Sequence, residues 1–360
     1  MVSDQTESLQ QTVQQAIAEK TPLRIVGSDS KAFYGNEAVG APLSLAQHSG
    51  IVAYEPSELF ITVRAGTRVL DIEAALAAQN QMLPFEPPRF SEDATIGGVL
   101  ACGFSGPRRP FAGAARDGIL GCTLLNGNGE VLSFGGQVMK NVAGYDVSRL
   151  MVGALGTLGV LLEVSLKVLP KPEMELSLAH TLSTQEALDV MNARAGKPLP
   201  ITAASYDGEA MVLRLSGTET TVTAARKKMA GDVLEHGDAY WHSLKEHSHY
   251  FFQAELPLWR LSLASGTLPL GLPGQWLFDW GGALRWLVSE MPEGDIRDAV
   301  AAEGGHAVLF RGKENYRHGV VDAFHPLPEP LLAIHQRLKQ AFDPHYLFNR
   351  GRFLADIDRF

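Results

Sequence analysis

Cysteine is scarce in this chain. Its 360 residues hold two, Cys102 and Cys122. Neither belongs to a Cys-x-x-Cys pair, which argues against a disulfide framework, a cysteine-bound iron–sulfur cluster or a structural zinc within the chain. Two buried thiols in a reducing compartment are the simpler reading. Positive charge is also in deficit: 31 Lys and Arg against 40 Asp and Glu give a net charge of -9. That disfavours nucleic acid as the main partner, because neutralising phosphates needs a basic face. A small anionic substrate needs only a local cluster of Arg or Lys and stays open. Long apolar runs are missing as well. The uncharged stretches Leu150–Leu162 and Leu261–Phe278 are broken by Gly, the second also by Pro269 and Pro273, so neither reads as a membrane span. The first twenty residues are polar and show no signal-peptide core. The expectation is a cytoplasmic protein, or one held peripherally at the inner face of the cytoplasmic membrane through a complex. There is no internal repeat and no low-complexity tract.

Glycine, by contrast, is abundant at 36 residues, which suggests tight turns or backbone running close to a ligand. The length suits two domains, each able to bury a core. Leu9, Val13, Ala16 and Ile17 recur at helical spacing, predicting a helix over 4–20 that Pro22 ends. Leu23–Val26 reads as a buried strand running into Gly27-Ser28-Asp29-Ser30-Lys31. A strand followed by a Gly-rich polar loop is a common way to bring backbone N–H groups to an anion, with Gly27 permitting φ > 0. An ordinary strand-to-helix turn is the competing reading. Phe60–Arg64 reads as a strand, and Thr67 as the cap of a helix with Val69, Ile72, Leu76 and Ala77 on its inner face. This alternation indicates α/β packing.

A second block begins near Pro84. Asn126-Gly127-Asn128-Gly129 lies between the apolar runs Ile119–Leu125 and Glu130–Phe134, a strong hairpin signal. Asp146 is a candidate cap for a short helix through Met151. Period-two alternation over Val160–Leu169 predicts a strand, and Pro170 and Pro172 mark a domain boundary. Beyond it, strands at 201–206 and 210–215 and helices at 184–194, 219–230 and 293–303 suggest an α+β domain with an antiparallel sheet. Leu331, Ile334, His335, Leu338 and Phe342 predict one face of a last helix.

Three segments carry a resemblance. Ala94-Thr-Ile-Gly-Gly-Val-Leu-Ala101 resembles the second flavin-binding element of the vanillyl-alcohol-oxidase (PCMH-type) FAD-binding family. Met139-Lys-Asn-Val-Ala-Gly-Tyr-Asp-Val-Ser-Arg149 and Gly153-Ala-Leu-Gly-Thr-Leu-Gly-Val160 resemble the FAD-binding subunits of bacterial glycolate oxidases. Phe342-Asp-Pro and Leu347-Phe-Asn-Arg-Gly-Arg352 are similar to that family's tail. The resemblance is strong over 84–170, fair over 20–83 and at the tail, and weak over 173–320. It implies an α+β fold: a two-subdomain PCMH-type FAD-binding domain over 1–170, divided near 83/84, then a smaller α+β cap domain with an antiparallel sheet over 171–324, and a segment 325–360 returning to the first domain.

It also implies a site. The loop Gly27, Ser28, Asp29, Ser30, Lys31, Ala32, Phe33 and Tyr34 would cradle the FAD pyrophosphate. Thr95, Ile96, Gly97 and Gly98 would lie against the pyrophosphate and the isoalloxazine, both glycines admitting close approach for want of a Cβ. Gly159 and Val160 would meet the adenine or ribose end, with strand packing as the alternative. Pro88, Cys102, Ser105, Gly106, Asp117 and Ile119 complete the expected contacts. Arg108, Arg109 and Arg116, three arginines within nine residues, are candidates for stabilising reduced flavin or holding a carboxylate; a solvated surface loop is the alternative.

The departures from the family matter too. Catalytic subunits carry His-Gly-Asp-Gly-Asn and further metal-binding His and Glu; here only Gly304-Gly305-His306 comes near. His242, His247 and His249 lack a known ligand spacing, so no metal is expected. The first loop has no His for covalent flavin attachment; Lys31 and Phe33 stand there, implying non-covalent FAD. The resemblance therefore implies an FAD-binding subunit of a glycolate oxidase complex, not active alone. Its partners would be a larger flavin-type subunit and an iron–sulfur subunit, and its substrate a small 2-hydroxy acid, glycolate or D-lactate. A stand-alone FAD-dependent dehydrogenase and a structural subunit that has lost flavin are the alternatives.

Overall fold

The computed structural model describes residues 3–136, 146–312 and 322–358. The chain divides into two compact units. The first takes 1–105, 113–171 and 326–360, and the second 106–112 and 172–325.

In the first unit the helix Thr6–Glu19 buries Leu9, Val13 and Ala16 and stops at Lys20, which turns into the left-handed region. Leu23–Val26 then pairs in parallel with Ala41–Ser44. The larger sheet has five antiparallel strands in the order Ile51–Glu55, Phe60–Arg64, Val160–Lys167, Ile119–Leu125 and Val131–Gly135. The α/β reading of this half is thus corrected: helices and strands do alternate, but the main sheet is antiparallel. Strand Val160–Lys167 lies at the centre of the sheet, and the helices Val69–Ala77 and Ile96–Cys102 contribute Ile72, Leu76, Val99 and Leu100 to the same core. The hairpin at Asn126 forms as the sequence indicates. Its Oδ1 accepts from the N–H groups of Asn128 and Glu130, closing the turn. Asp146 caps the helix Val147–Met151 through Arg149 N. Thr67 does not cap its helix. Its hydroxyl donates to Arg64 O and accepts from Gly50 N, so it ties two strand ends together, while Arg68 takes the cap position. Residues 139–145 of the motif Met139–Arg149 lie outside the described residues.

The last helix, Glu329–Phe342, differs from its expectation in a telling way. Leu331 and Ile334 are exposed, and the residue it buries is Lys339. The Lys339 ammonium donates to Asp343 Oδ2 (2.8 Å), Thr157 O (2.8 Å) and Phe348 O (3.0 Å). Asp343 in turn accepts from the N–H groups of Leu347 and Phe348. A buried charge persists only when paired and hydrogen-bonded, and here the pairing folds the tail onto the first unit. Leu23 and Phe348 form a parallel bridge, so the tail extends the edge of strand Leu23–Val26.

The second unit is built on one eight-stranded sheet whose described pairings are all antiparallel. Helices Thr184–Ala195 and Glu219–Lys228 cover one part of it, and Glu293–Ala302 another, giving two apolar clusters. Expectation places 106–112 in the first domain, but it packs in the second unit. Arg108 forms an ion pair with Glu175, Arg109 lies 4.2 Å over the Trp280 ring, and Trp280 Nε1 donates to Gly106 O.

Candidate flavin-binding site

An open cleft lies within the first unit. One wall is the loop after strand Leu23–Val26, from Gly27 to Ala32. A second is the helix Ile96–Cys102, presenting Gly97, Gly98, Ala101 and Cys102. The third comes from Met151 to Gly159 with Leu161, and the tail adds Asn349 and Arg352.

The loop is shaped for an anion. Its left-handed residue is Asp29 (φ 60), not Gly27, so the expected use of φ > 0 at Gly27 is corrected. Gly27 is small for another reason. A Cβ there would stand 2.2 Å from Thr95 Oγ1, so only glycine lets the loop lie on the start of the helix. Asp29 is held by two hydrogen bonds from Arg24 Nη1, of 3.0 and 2.9 Å. Among the described residues none accepts from the backbone N–H of Ser28, Asp29 or Ser30. Three successive N–H groups in a concave turn form an anion-binding concavity.

The two helix glycines do different work. A Cβ on Gly97 would meet Ala65 Cβ and Ala65 O at 2.9 Å, so Gly97 serves the contact between helix and strand end. A Cβ on Gly98 would meet only Thr95 Oγ1, at 3.4 Å, and would otherwise project into the cleft. Gly159 is a packing glycine as well, with Leu124 Cδ1 at 2.9 Å and Leu125 O at 3.0 Å from its would-be Cβ. The N–H groups of Ile96 and Gly97 donate to Thr67 O and Ala65 O, so the helix start is satisfied internally.

Three cations border the cleft: Arg24, Lys31 and Arg352. Lys31 donates to Arg89 O at 2.9 Å and lies 5.6 Å from the Phe90 ring centre. Cys102 faces the same space; burial pushes its thiol up to about 11, with Lys31 and Arg352 pulling the other way. It is therefore a neutral, polarisable wall near neutral pH. A long ligand with an apolar body and a central anionic group fits this lining: backbone donors and cations on one side, and Ile25, Leu45, Ala65, Ala101, Ala154, Leu155 and Leu161 elsewhere. FAD has that character. Its diphosphate suits the loop and the cations, and its rings suit the apolar and glycine surfaces.

Of the residues expected at the site, Gly27, Ser28, Asp29, Ser30, Lys31, Ala32, Thr95, Gly97, Gly98, Cys102 and Gly159 line the cleft. The others lie elsewhere. Phe33 is an exposed ring set edge-on to Phe90, and Tyr34 packs edge-on to Phe104. Ile96, Ile119 and Val160 are core residues. Pro88 is buried outside the lining. Ser105 Oγ accepts from Ala115 N, and exposed Asp117 accepts from Ala114 N, so both hold local turns. Gly106 belongs to the second unit.

The arginine loop separates as well. Arg108 is buried against Glu175 and Arg109 is stacked on Trp280, both in the second unit, while Arg116 is exposed on the first. Much of Arg108's charge is thus already compensated within its own unit. Sequence reading missed Arg24, Ile25, Ala65, Ala101, Met151, Ala154, Asn349 and Arg352. The tail motif Leu347–Arg352 was the one available signal for the last two. Among the described residues no group of three His, Cys, Asp or Glu could hold a metal ion. His247 is instead a core side chain stacked on Phe252 at 3.9 Å.

Comparison with known proteins points to the same cofactor. The family model described as FAD binding domain matches residues 2–135. The chain is 47% identical to glycolate oxidase subunit GlcE of Escherichia coli (strain K12), over 98% of this chain and 99% of that protein. It is 32% identical to glycolate oxidase subunit GlcD of Bacillus subtilis (strain 168), over 47% of this chain and 36% of that one. It is 30% identical to a D-lactate dehydrogenase of Anaerostipes hadrus, over 48% and 36%. A solved structure of alkyldihydroxyacetonephosphate synthase superposes with a TM-score of 0.68 over 97% of this chain and 74% of that one. At 14% identity this likeness concerns the fold.

Proposed function

The chain belongs to the family of glycolate oxidase subunit GlcE, and from that premise we propose that it is the FAD-binding subunit of a complex that oxidises glycolate, or D-lactate, to the 2-oxo acid. It is an FAD-dependent oxidoreductase subunit. In the proposed assembly a larger flavin-type subunit and an iron–sulfur subunit are its partners, and electrons leave through the latter. The observation that carries the reading is the cleft of the first unit, in which an anion-shaped loop, a glycine-faced helix and three cations meet an apolar floor.

FAD, when bound, supplies two-electron acceptance from a substrate C–H bond and onward transfer of those electrons. The chain's own residues bind and orient. The N–H groups of Ser28, Asp29 and Ser30 would hold the diphosphate, and Gly98 would leave room for a planar ring system. Arg24 is partly neutralised by its ion pair with Asp29, and Lys31 and Arg352 are the other two cations of the lining. Cys102 stays protonated and takes no proton from the substrate near neutral pH. The family's His-Gly-Asp-Gly-Asn element is missing, so the chain does not by itself provide the base for the hydroxyl proton. Non-covalent attachment is part of the proposal, since the loop offers Lys31 and Phe33 where a His would stand.

The test uses the purified full chain. It should be yellow, and acid should release intact FAD. Dye reduction with glycolate should be negligible for the chain alone and appear on co-expression with the two partner subunits. Rapid turnover by the isolated chain would refute the subunit reading.

A further inference from the structure

Arg352 sits on the tail, far in sequence from the loop it touches. Its Nη1 donates to Ala32 O (3.1 Å) and Asn36 O (3.2 Å), and its Nη2 to Lys31 O (2.8 Å). One planar guanidinium thus gathers three carbonyls, two of them, Lys31 and Ala32, on the cleft wall and the third, Asn36, just beyond it. Arg352 anchors the loop at Lys31 and Ala32, directly after Ser28, Asp29 and Ser30, whose N–H groups have no backbone acceptor among the described residues. Among the described residues no carboxylate lies within ion-pair distance of Arg352, whereas Arg24 has Asp29. Carbonyl oxygens satisfy its donors, and the Asp29 carboxylate acts on its charge only from beyond ion-pair distance.

The tail is tied to the same walls at other points. Asn349 accepts from Ile25 N at 2.7 Å and donates to Leu155 O at 2.6 Å, bridging two sides of the cleft. Its N–H donates to Leu23 O, Val39 N donates to Arg350 O, and Asn36 N donates to Arg352 O. Asn349 adopts a left-handed φ of 43 and Gly351 one of 82, so this hook has a specific backbone path.

We propose that Arg352 is a positioning residue of the flavin site: it staples the 27–34 loop into its anion-receiving form and lends its charge to the FAD diphosphate, so that FAD binding and docking of the tail 347–354 are one coupled equilibrium. This rests on placing FAD in the cleft of the first unit. Linkage is reciprocal, so whatever order FAD imposes on the tail, the docked tail returns as affinity for FAD.

The experiment follows amide hydrogen exchange of peptides covering 347–354 in the full chain, stripped of FAD and then reloaded, with FAD affinity measured by flavin fluorescence. In the wild type, FAD should slow exchange over 347–354, and ADP, which carries the diphosphate without the flavin, should do so as well. Removing a charge-assisted contact by Arg352→Gln should weaken FAD about ten- to a hundred-fold and abolish the slowing. Arg352→Lys, which keeps the charge but cannot span three carbonyls, should recover part of the affinity and little of the slowing. Wild-type affinity in Arg352→Gln, or tail exchange in the wild type indifferent to FAD, would overturn the proposal; the second result needs no variant to fold. Gly98→Val separates the two levels. If it loses FAD while Arg352→Gln keeps it, the cleft stands and the role of Arg352 falls. If Gly98→Val also keeps FAD, the placement of the cofactor falls with it.

Discussion

The two adjacent glycines of helix Ile96–Cys102 should respond oppositely to an added side chain. At Gly98 the built Cβ meets nothing nearer than Thr95 Oγ1 at 3.4 Å, and the position lines the cleft. The apoprotein should therefore tolerate Gly98→Ala and gain roughly 0.5–1 kcal/mol from better helix propensity. Gly98→Val should also fold, but its branched carbons occupy ligand space. An overpacked contact of about 1–3 kcal/mol corresponds to roughly a 5- to 150-fold loss of FAD affinity. At Gly97 the balance reverses. The new methyl would press on Ala65 Cβ and the Ala65 carbonyl at 2.9 Å, and that carbonyl already accepts from Gly97 N at 2.8 Å. Backbone cannot swing aside as a flexible side chain can. Gly97→Ala should thus cost the apoprotein roughly 1–3 kcal/mol, only partly offset by propensity. Urea denaturation of the apoproteins and flavin titration separate the two effects. A Gly98→Val protein with wild-type FAD affinity, or a Gly97→Ala apoprotein as stable as the wild type, would refute the reasoning.

Two further outcomes concern buried charged and titratable groups, one in each unit. Replacing Lys339 by Met leaves Asp343 buried without its cation and should destabilise the first unit by about 3–5 kcal/mol, much of it recovered when Asp343 is also made apolar; a single variant within 1 kcal/mol of wild type by denaturation would contradict this. His247 is held neutral by burial first and by the nearby Arg311 and Arg260, well below its ordinary value of 6.5. The unfolded chain therefore binds the extra proton. Stability from this group is complete above pH 6.5 and falls as pH drops below it, by up to ~1.4 kcal/mol per pH unit. His247→Phe should flatten the slope of stability against pH between about 6.5 and 5; an unchanged slope would count against it.

The sequence by itself determined a great deal here. Local rules suffice where a few neighbouring residues set the geometry: Asn126 closes its hairpin with its own side chain, and 184–194, 219–230 and 293–303 are helical within a residue or two, whereas the strand expected over 160–169 ends at Lys167 and Pro170 is itself paired with Gln81. The loop 27–32 and the pair Gly97 and Gly98 were legible as backbone left open. What those glycines are open to was not. All four line the cleft, yet a Cβ at Gly27 would strike Thr95, at Gly97 Ala65 and at Gly159 Leu124, and of the four only Gly98 has room for one, a distinction that depends on partners distant in sequence or across a turn. The arginine cluster shows the same limit. Arg108 and Arg109 are adjacent to one another, yet their charge is met by Glu175 and by the Trp280 ring. Arg352 looked like a tail residue and proved to be a wall of the site, joined to Lys31 and Ala32 across more than three hundred residues. Sequence fixes which chemistry a residue can offer, because that is a property of the side chain. Which residue receives it depends on how the chain closes on itself, and long-range closure leaves no mark in a local pattern.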